Sequence, residues 1–208
     1  MTDRGIALTG LPIEIDNVYL REALLVDPRV EQRGYIDSFW SSCEGMSCWK
    51  ERNELTKRYA WGIPNDTAIR AIASRGPVVE IGAGTGYWAS LLRQAKCDVV
   101  AYDEKPGENG WVQVEQCYYD VQVGQHEVVT AHQDRTLLLC WPPMSDMAEL
   151  ALRAYRGQTV VYVGENAGGC CASDEFFALL EDWSEACEVR IPQWWGLHDA
   201  MWIYERKL

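Results

Sequence analysis

No run of apolar residues in this 208-residue chain approaches the roughly 18 to 20 that a membrane-spanning helix needs. The opening residues, MTDRGIALTGLPIEID, lack the basic region, apolar run and small-residue cleavage site of a secretory signal. A cytoplasmic enzyme with no membrane partner is therefore the expectation. Positive charge is scarce: 19 Lys and Arg face 31 Asp and Glu, a formal net charge of −12. The basic residues are scattered singly or in short groups such as Lys57-Arg58. Such a surface repels a phosphate backbone, so nucleic acid is not the expected partner, although a single exposed base or a small molecule stays open. Repeats and low-complexity segments are absent. So is zinc-finger spacing: Cys43 and Cys48 fall outside Cys-x-x-Cys and no histidine follows at finger distance, so no metal is expected. The eight cysteines, several inside apolar strand-like runs, read as reduced thiols in a chain of this size without a secretory signal.

What is present is a globular composition, with 48% hydrophobic and 24% charged residues. The length suits one domain with a small helical addition. Residues 1–60 read as a helical cap. Val18, Tyr19, Leu20, Ala23, Leu24 and Leu25 form a stripe closed by Pro28, and Trp40, Trp49 and Trp61 enrich the segment that follows. From 61 to 208 the pattern is α/β. Asn65 or Asp66 caps a helix with Ala68, Ile69, Ile72 and Ala73 on its apolar face, and Gly76-Pro77 ends it. Strands are expected at 78–81, 99–102, 136–141, 159–163, 188–191 and 201–204, with a weaker one near 118–123. Helices are expected at 85–95, 146–155 and 173–183. Asp146 and Glu149 have capping-box spacing, and Phe176, Phe177, Leu180 and Trp183 share a helical face. TLLLCW and TVVYVG are apolar throughout, as parallel strands covered on both faces are. Residues 192–200 are too few for a helical crossover, so the last two strands pair antiparallel. The expected fold is a Rossmann-like, doubly wound, mostly parallel seven-stranded sheet with a C-terminal antiparallel hairpin.

The segment Val78-Val79-Glu80-Ile81-Gly82-Ala83-Gly84-Thr85-Gly86 runs from a strand through a glycine turn into a helix whose buried face is Trp88, Leu91, Leu92 and Ala95. Glycines there allow a left-handed backbone and close approach of a ligand. Gly-x-Gly-x-x-Gly, the dinucleotide spacing, would place its third glycine where Tyr87 stands. The pattern instead resembles motif I of the class I, seven-stranded methyltransferases that use S-adenosylmethionine. That resemblance spans residues 57–208. It implies a cofactor site of Glu80, Gly82, Ala83, Gly84, Thr85 and Gly86, with Asp103 on the ribose hydroxyls and Glu104 as a substitute. It also places Gln125 near adenine.

The same resemblance puts Cys140 and Trp141, in Leu-Cys-Trp-Pro-Pro-Met144, at the end of the fourth strand, facing the methyl acceptor. This segment is similar to the Asp/Asn/Ser-Pro-Pro-aromatic motif of base amino-methyltransferases. It departs from that motif at Trp141 and Met144, which removes the polar group that would hold a base amine. Tyr59, Trp61 and Trp141 are candidates for the wall of the site, where aromatic faces favour a sulfonium. His198 and Glu165 are candidates for a base or substrate contact. His126 and His132, in a polar segment, read as solvated. Gly168-Gly169-Cys170-Cys171 reads as a flexible turn with two buried thiols. The expected activity is methyl transfer from S-adenosylmethionine to a small molecule or a peptide side chain. The alternatives are a nucleic-acid base amino-methyltransferase and a non-catalytic S-adenosylmethionine-binding protein.

Overall fold

The computed structural model describes residues 13–31 and 43–207, and the side chains of 43–48 lie outside the description. Trp40 and the thiols of Cys43 and Cys48 therefore fall outside the described residues.

Three helices precede the sheet: α1 (Val18–Val26), α2 (Cys43–Arg58) and α3 (Asp66–Ala73). The side chains of Asn17 and Asn65 cap α1 and α3 by accepting the N–H groups of Leu20 and Ala68. On α1, Tyr19 and Ala23 turn inward, while Leu25 stays 85% exposed. The expected stripe is thus narrower than its composition suggested. Tyr19 anchors the segment: its backbone N–H donates to the Tyr87 hydroxyl at 2.9 Å, and its own hydroxyl accepts the Trp194 indole N–H at 2.9 Å.

The remaining elements are β1 (Val78–Ile81), α4 (Tyr87–Gln94), β2 (Val99–Asp103), β3 (Val121–Val123), β4 (Thr136–Cys140), α5 (Met147–Ala154), β5 (Thr159–Gly164), α6 (Asp174–Leu180), β6 (Trp183–Val189) and β7 (Ala200–Arg206). A single 3-10 helix, His126–Ala131, links β3 to β4. The strands form one seven-stranded sheet in the order β3-β2-β1-β4-β5-β7-β6. The first five are parallel, and β7 runs antiparallel to both β5 and β6.

Both faces of the sheet are covered, which is why its central strands are mostly apolar, Glu80 of β1 being the charged exception. Val78, Leu138, Val161 and Ile203 pack with Ile69, Ile72, Trp88 and Leu91 on the face carrying α1 to α4. Their strand neighbours Val79, Leu137, Leu139, Val160 and Tyr162 pack with Leu152, Phe176 and Leu180 of α5 and α6. The alternation of partners along each strand is the two-residue period of the pleat.

Three local expectations are corrected. Helix α6 stops at Leu180, and Trp183 begins β6 instead of extending the helical face; its ring stacks on Tyr155 at 6.1 Å. β6 therefore starts five residues before the expected 188, in a stretch whose exposed Ser184, Glu185 and Glu188 hide its strand character. The capping box at Asp146 does not form, because Asp146 is helical in backbone and makes no side-chain cap, while Glu149 turns to Arg153 at 2.7 Å. Finally, only one thiol of the Cys170-Cys171 pair is buried, and Cys170 is exposed. The six described cysteines are free thiols.

Candidate functional site

The site forms where β1 and β2 end and the chain turns back over the sheet edge, the place where ligands bind in open α/β sheets. Gly82, Gly84 and Gly86 all take positive φ, at 75°, 56° and 72°. At Gly86 a Cβ would meet Val121 Cγ2 at 2.6 Å, so this residue is required by both conformation and space. The turn is fastened from two sides. The Gly84 N–H donates to Asp103 Oδ2 at 2.8 Å, and the Thr85 hydroxyl donates to the Tyr59 carbonyl.

A cleft of about 1650 Å³ opens over this turn. Its floor includes Glu80, the glycine turn and Asp103; its walls include Trp61, Trp141 and the loop after β2. That loop, residues 104–120, is irregular but tied down: Gly107 N–H donates to the Gly84 carbonyl and Tyr118 N–H to the Thr85 carbonyl, each at 2.9 Å. Every proposed cofactor contact of the sequence lines this cleft: Glu80, Gly82, Ala83, Gly84, Thr85, Asp103, Gln125, Cys140, Tyr59 and Trp61, with the exception of Gly86, which shapes the turn from behind. Gln125 stands exposed at the margin.

The electrostatics of the floor are unusual. Glu80 is 1% exposed, and its Oε2 has no hydrogen-bond partner among the described residues. Burial, countered in part by a hydrogen bond from the Ala89 backbone and aided by the charge of Asp103, pushes its carboxyl up to about 8. An acid that lines a cleft and keeps one oxygen unpartnered among the described residues fits a cationic ligand. Asp103 accepts backbone N–H groups on both oxygens, Gly84 on Oδ2 and Lys105 on Oδ1, each at 2.8 Å, and Asn109 approaches at 3.4 Å. Apart from Asn109, whose amide reaches both oxygens at 3.4 and 3.5 Å, each oxygen has one lone pair to offer a hydroxyl donor. Together these residues fit S-adenosylmethionine, with an ammonium for Glu80 and ribose hydroxyls for Asp103.

At the acceptor end, Trp141 follows β4 with φ of 48°, a left-handed conformation that a bulky side chain rarely takes. Three contacts hold it there. Its N–H donates to the Val163 carbonyl at 2.7 Å, its indole N–H donates to Asp199 Oδ2 at 3.0 Å, and its ring stacks on Trp61 at 5.5 Å. Asp199 is 2% exposed with Oδ1 unpartnered among the described residues, and burial raises its carboxyl to about 7 despite the Trp141 hydrogen bond. Cys140 lines the cleft; burial, then the charges of Glu80 and Asp199, raise its thiol well above its ordinary range, so it stays protonated.

The other candidates sit differently. Glu165 receives the Cys170 N–H at 2.9 Å, the Cys170 thiol at 3.0 Å and the His198 N–H at 2.9 Å. Burial alone would raise its pKa, yet these donors outweigh it and lower the carboxyl. Its oxygens are thus occupied in fastening two loops. His198 has an exposed side chain and does not line the cleft. His126 lines the cleft half-buried, and His132 bonds the Tyr102 hydroxyl at 3.0 Å, so neither is simply solvated. Sequence reasoning missed Asn109, whose Asn109-Gly110 dipeptide signals a turn, and Asp199, visible only as a neighbour of His198.

No protein-family model matches the chain, and no curated protein matches it. Among solved structures it is similar to magnesium protoporphyrin IX methyltransferase from Synechocystis with bound S-adenosylmethionine, at 8% identity and a TM-score of 0.45, over 95% of this chain and 100% of that one. A precorrin-6y C5,15-methyltransferase from Geobacter metallireducens is 10% identical over 72% of this chain and 93% of that one, with a TM-score of 0.39. A Streptococcus pneumoniae protein taken to be a tRNA methyltransferase is 11% identical over 70% of this chain and 73% of that one, with a TM-score of 0.43. The fold assignment rests on strand order, not on these distant likenesses. With five parallel strands, a reversed β7 between β5 and β6, and a glycine turn after β1, the chain has the seven-stranded, Rossmann-like fold of the class I methyltransferases.

Proposed function

We propose that the protein transfers a methyl group from S-adenosylmethionine to a small molecule or a peptide side chain. The observation that carries this reading is the pairing of Glu80, buried with an unsatisfied oxygen, with Asp103 across a glycine turn. When bound, S-adenosylmethionine supplies a methyl group activated on a sulfonium. Glu80 would hold the ammonium, Asp103 would accept from the ribose hydroxyls, and the glycine turn would allow close backbone approach. Gln125, at the cleft margin, is suited to the adenine edge, and Thr85 steadies the turn through Tyr59. Tyr59, Trp61, Cys140 and Trp141 bound the reacting end, where the Trp61–Trp141 stack excludes water and offers aromatic faces to positive charge. Positioning supplies much of the catalysis in an in-line displacement of this kind. In this reading the described part of the N-terminal segment, 13–31 and 43–60, serves as the cap and 61–207 as the cofactor-binding domain.

A base-amine acceptor is disfavoured. The indole N–H of Trp141 can only donate, and the carbonyls of Pro142 and Pro143 already accept the N–H groups of Ala172 at 2.9 Å and Ser145 at 2.7 Å. His198 and Glu165 are the weaker candidates for a base, since neither lines the cleft and Glu165 already accepts three hydrogen bonds. The test is incorporation of labelled methyl from S-adenosylmethionine into a panel of small acceptors and peptides. Asp103→Ala should abolish it, and incorporation into oligonucleotides alone would overturn the acceptor class.

A further inference from the structure

Trp111, in the loop after β2, is 55% exposed, while the next residue, Val112, is 6% exposed and lies over Gly84 of the glycine turn. The exposure is not slack in the chain. Asn109 Oδ1 fixes the Asn109-Gly110 turn by accepting the N–H groups of Trp111 at 2.8 Å and Val112 at 3.0 Å. The Asn109 N–H donates to the Val112 carbonyl at 3.2 Å, and Glu108 and Gln113 form an antiparallel bridge. The Gln113 N–H then ties the turn to the Lys57 carbonyl of α2 at 3.0 Å. A pinned turn thus holds a large ring half in water. That position forfeits much of the stabilisation a buried tryptophan supplies, a loss that contact with a ligand recovers.

The surroundings of the ring indicate what the ligand is. Trp111 lines the cleft and meets Trp61 in an edge-on contact, with centroids 6.3 Å apart and planes at 76°. Trp61 in turn stacks on Trp141, so Trp111 extends the aromatic wall of the acceptor end. The exposed part of the ring suits a second flat ring or a cation. Charge selects between ligands. Glu104 and Glu108, on the same loop, and Asp146, beyond Pro142-Pro143, are exposed and line the cleft. Among the described lining residues Lys105 is the only Lys or Arg, and His126 is the only histidine. In a chain of net charge −12, a mouth of this kind repels an anion and attracts a cation.

We propose that Trp111 is the platform on which the methyl acceptor stacks, and that the acceptor is a flat aromatic molecule carrying a positively charged amine. The platform deepens the methyl-transfer reading and rests on it only for the word acceptor. Binding of an aromatic cation at Trp111 does not depend on it.

The test uses tryptamine, tryptophol and indole-3-propionate, which share a ring and a two-carbon arm and end in a cation, a neutral hydroxyl and an anion. Each is titrated into the full-length protein by ligand-observed NMR, with and without S-adenosylhomocysteine, whose own binding is measured calorimetrically. Tryptamine should bind the wild type at least tenfold more tightly than indole-3-propionate, with tryptophol between them, and the gap should narrow as salt rises. Trp111→Ala should weaken tryptamine at least tenfold and Trp111→Phe by no more than about threefold, while both bind S-adenosylhomocysteine within about twofold of wild type. Equal binding of the three probes, preference for the anion, or binding of none by the wild type overturns the platform, and this arm needs no variant to fold. Tryptamine affinity that survives Trp111→Ala overturns it as well. So does competition between tryptamine and S-adenosylhomocysteine, or an equal loss of both in Trp111→Ala, because the ring then belongs to the cofactor's end. Binding of S-adenosylhomocysteine without a tryptamine preference leaves methyl transfer standing and removes the platform. A Trp111-dependent tryptamine preference without binding of S-adenosylhomocysteine supports the platform and removes methyl transfer.

Discussion

Glu80 couples cofactor binding to pH, and the structure sets the sign and size. Its carboxyl titrates near 8 in the folded protein against an ordinary 4.5. The folded state therefore holds this proton more tightly than the unfolded state. The stability so gained is complete below pH 4.5 and is lost as pH rises through about 8. At about 1.4 kcal/mol per pH unit, the difference between about pH 5 and about pH 8 is roughly 4 kcal/mol. For a chain of this length that corresponds to a fall in Tm of roughly 8 to 16 °C. Asp199, raised to about 7, adds a smaller slope of the same sign. Glu80→Gln, neutral at every pH and similar in shape, should flatten most of the decline and leave the part belonging to Asp199. A cationic ligand beside Glu80 pulls the carboxyl back down. At pH 7 about nine-tenths of it is protonated in the ligand-free protein, so binding should release up to about 0.9 proton. Calorimetry in phosphate and in Tris, whose ionisation enthalpies differ widely, reads that proton directly. A wild-type Tm that matches Glu80→Gln at both ends of the range, or binding with the same enthalpy in both buffers, would refute the reasoning.

Other perturbations follow from single contacts. Trp141→Phe keeps the ring but removes the hydrogen bond to Asp199, leaving both carboxyl oxygens buried without that donor. It should cost about 1–3 kcal/mol in denaturant unfolding and move the Asp199 titration further upward. Gly86→Ala combines positive φ with a 2.6 Å clash against Val121 and should weaken cofactor binding at least tenfold while the far-UV spectrum persists. Tyr87→Phe deletes the hydroxyl that accepts from Tyr19 N–H and donates to Asn17 Oδ1; it should lower stability by about 1–3 kcal/mol, with proteolysis in α1 rising first. Cys170→Ser should leave the thermal midpoint within about 2 °C, since a hydroxyl can donate to Glu165 as the thiol does.

The sheet was legible because its signals are strong and local. Fully apolar runs at 136–141 and 159–163 leave little choice but central parallel strands, and the short segment 192–200 forces the reversal of β7. Glu80, the three glycines and Asp103 could be named from their spacing and the resemblance to motif I, and all but Gly86 line the cleft. What escaped the sequence depends on long-range company. Strand β6 begins in Trp183-Ser-Glu-Ala-Cys, whose polar residues face solvent on an edge strand and erase its apolar pattern. Asp146 and Glu149 have the spacing of a capping box, but Arg153 one turn on competes for the glutamate. Asp199 carries no motif at all: it matters through burial, with Trp141 on one oxygen and no described residue on the other, a property of the folded chain that no window of sequence contains.

The most direct test of the central claim is calorimetric titration of wild type and Asp103→Ala with S-adenosylmethionine and with S-adenosylhomocysteine. The account expects micromolar binding of both by the wild type, about −8 kcal/mol, weakened at least tenfold in the variant. Absence of binding of either ligand by folded wild-type protein would contradict it.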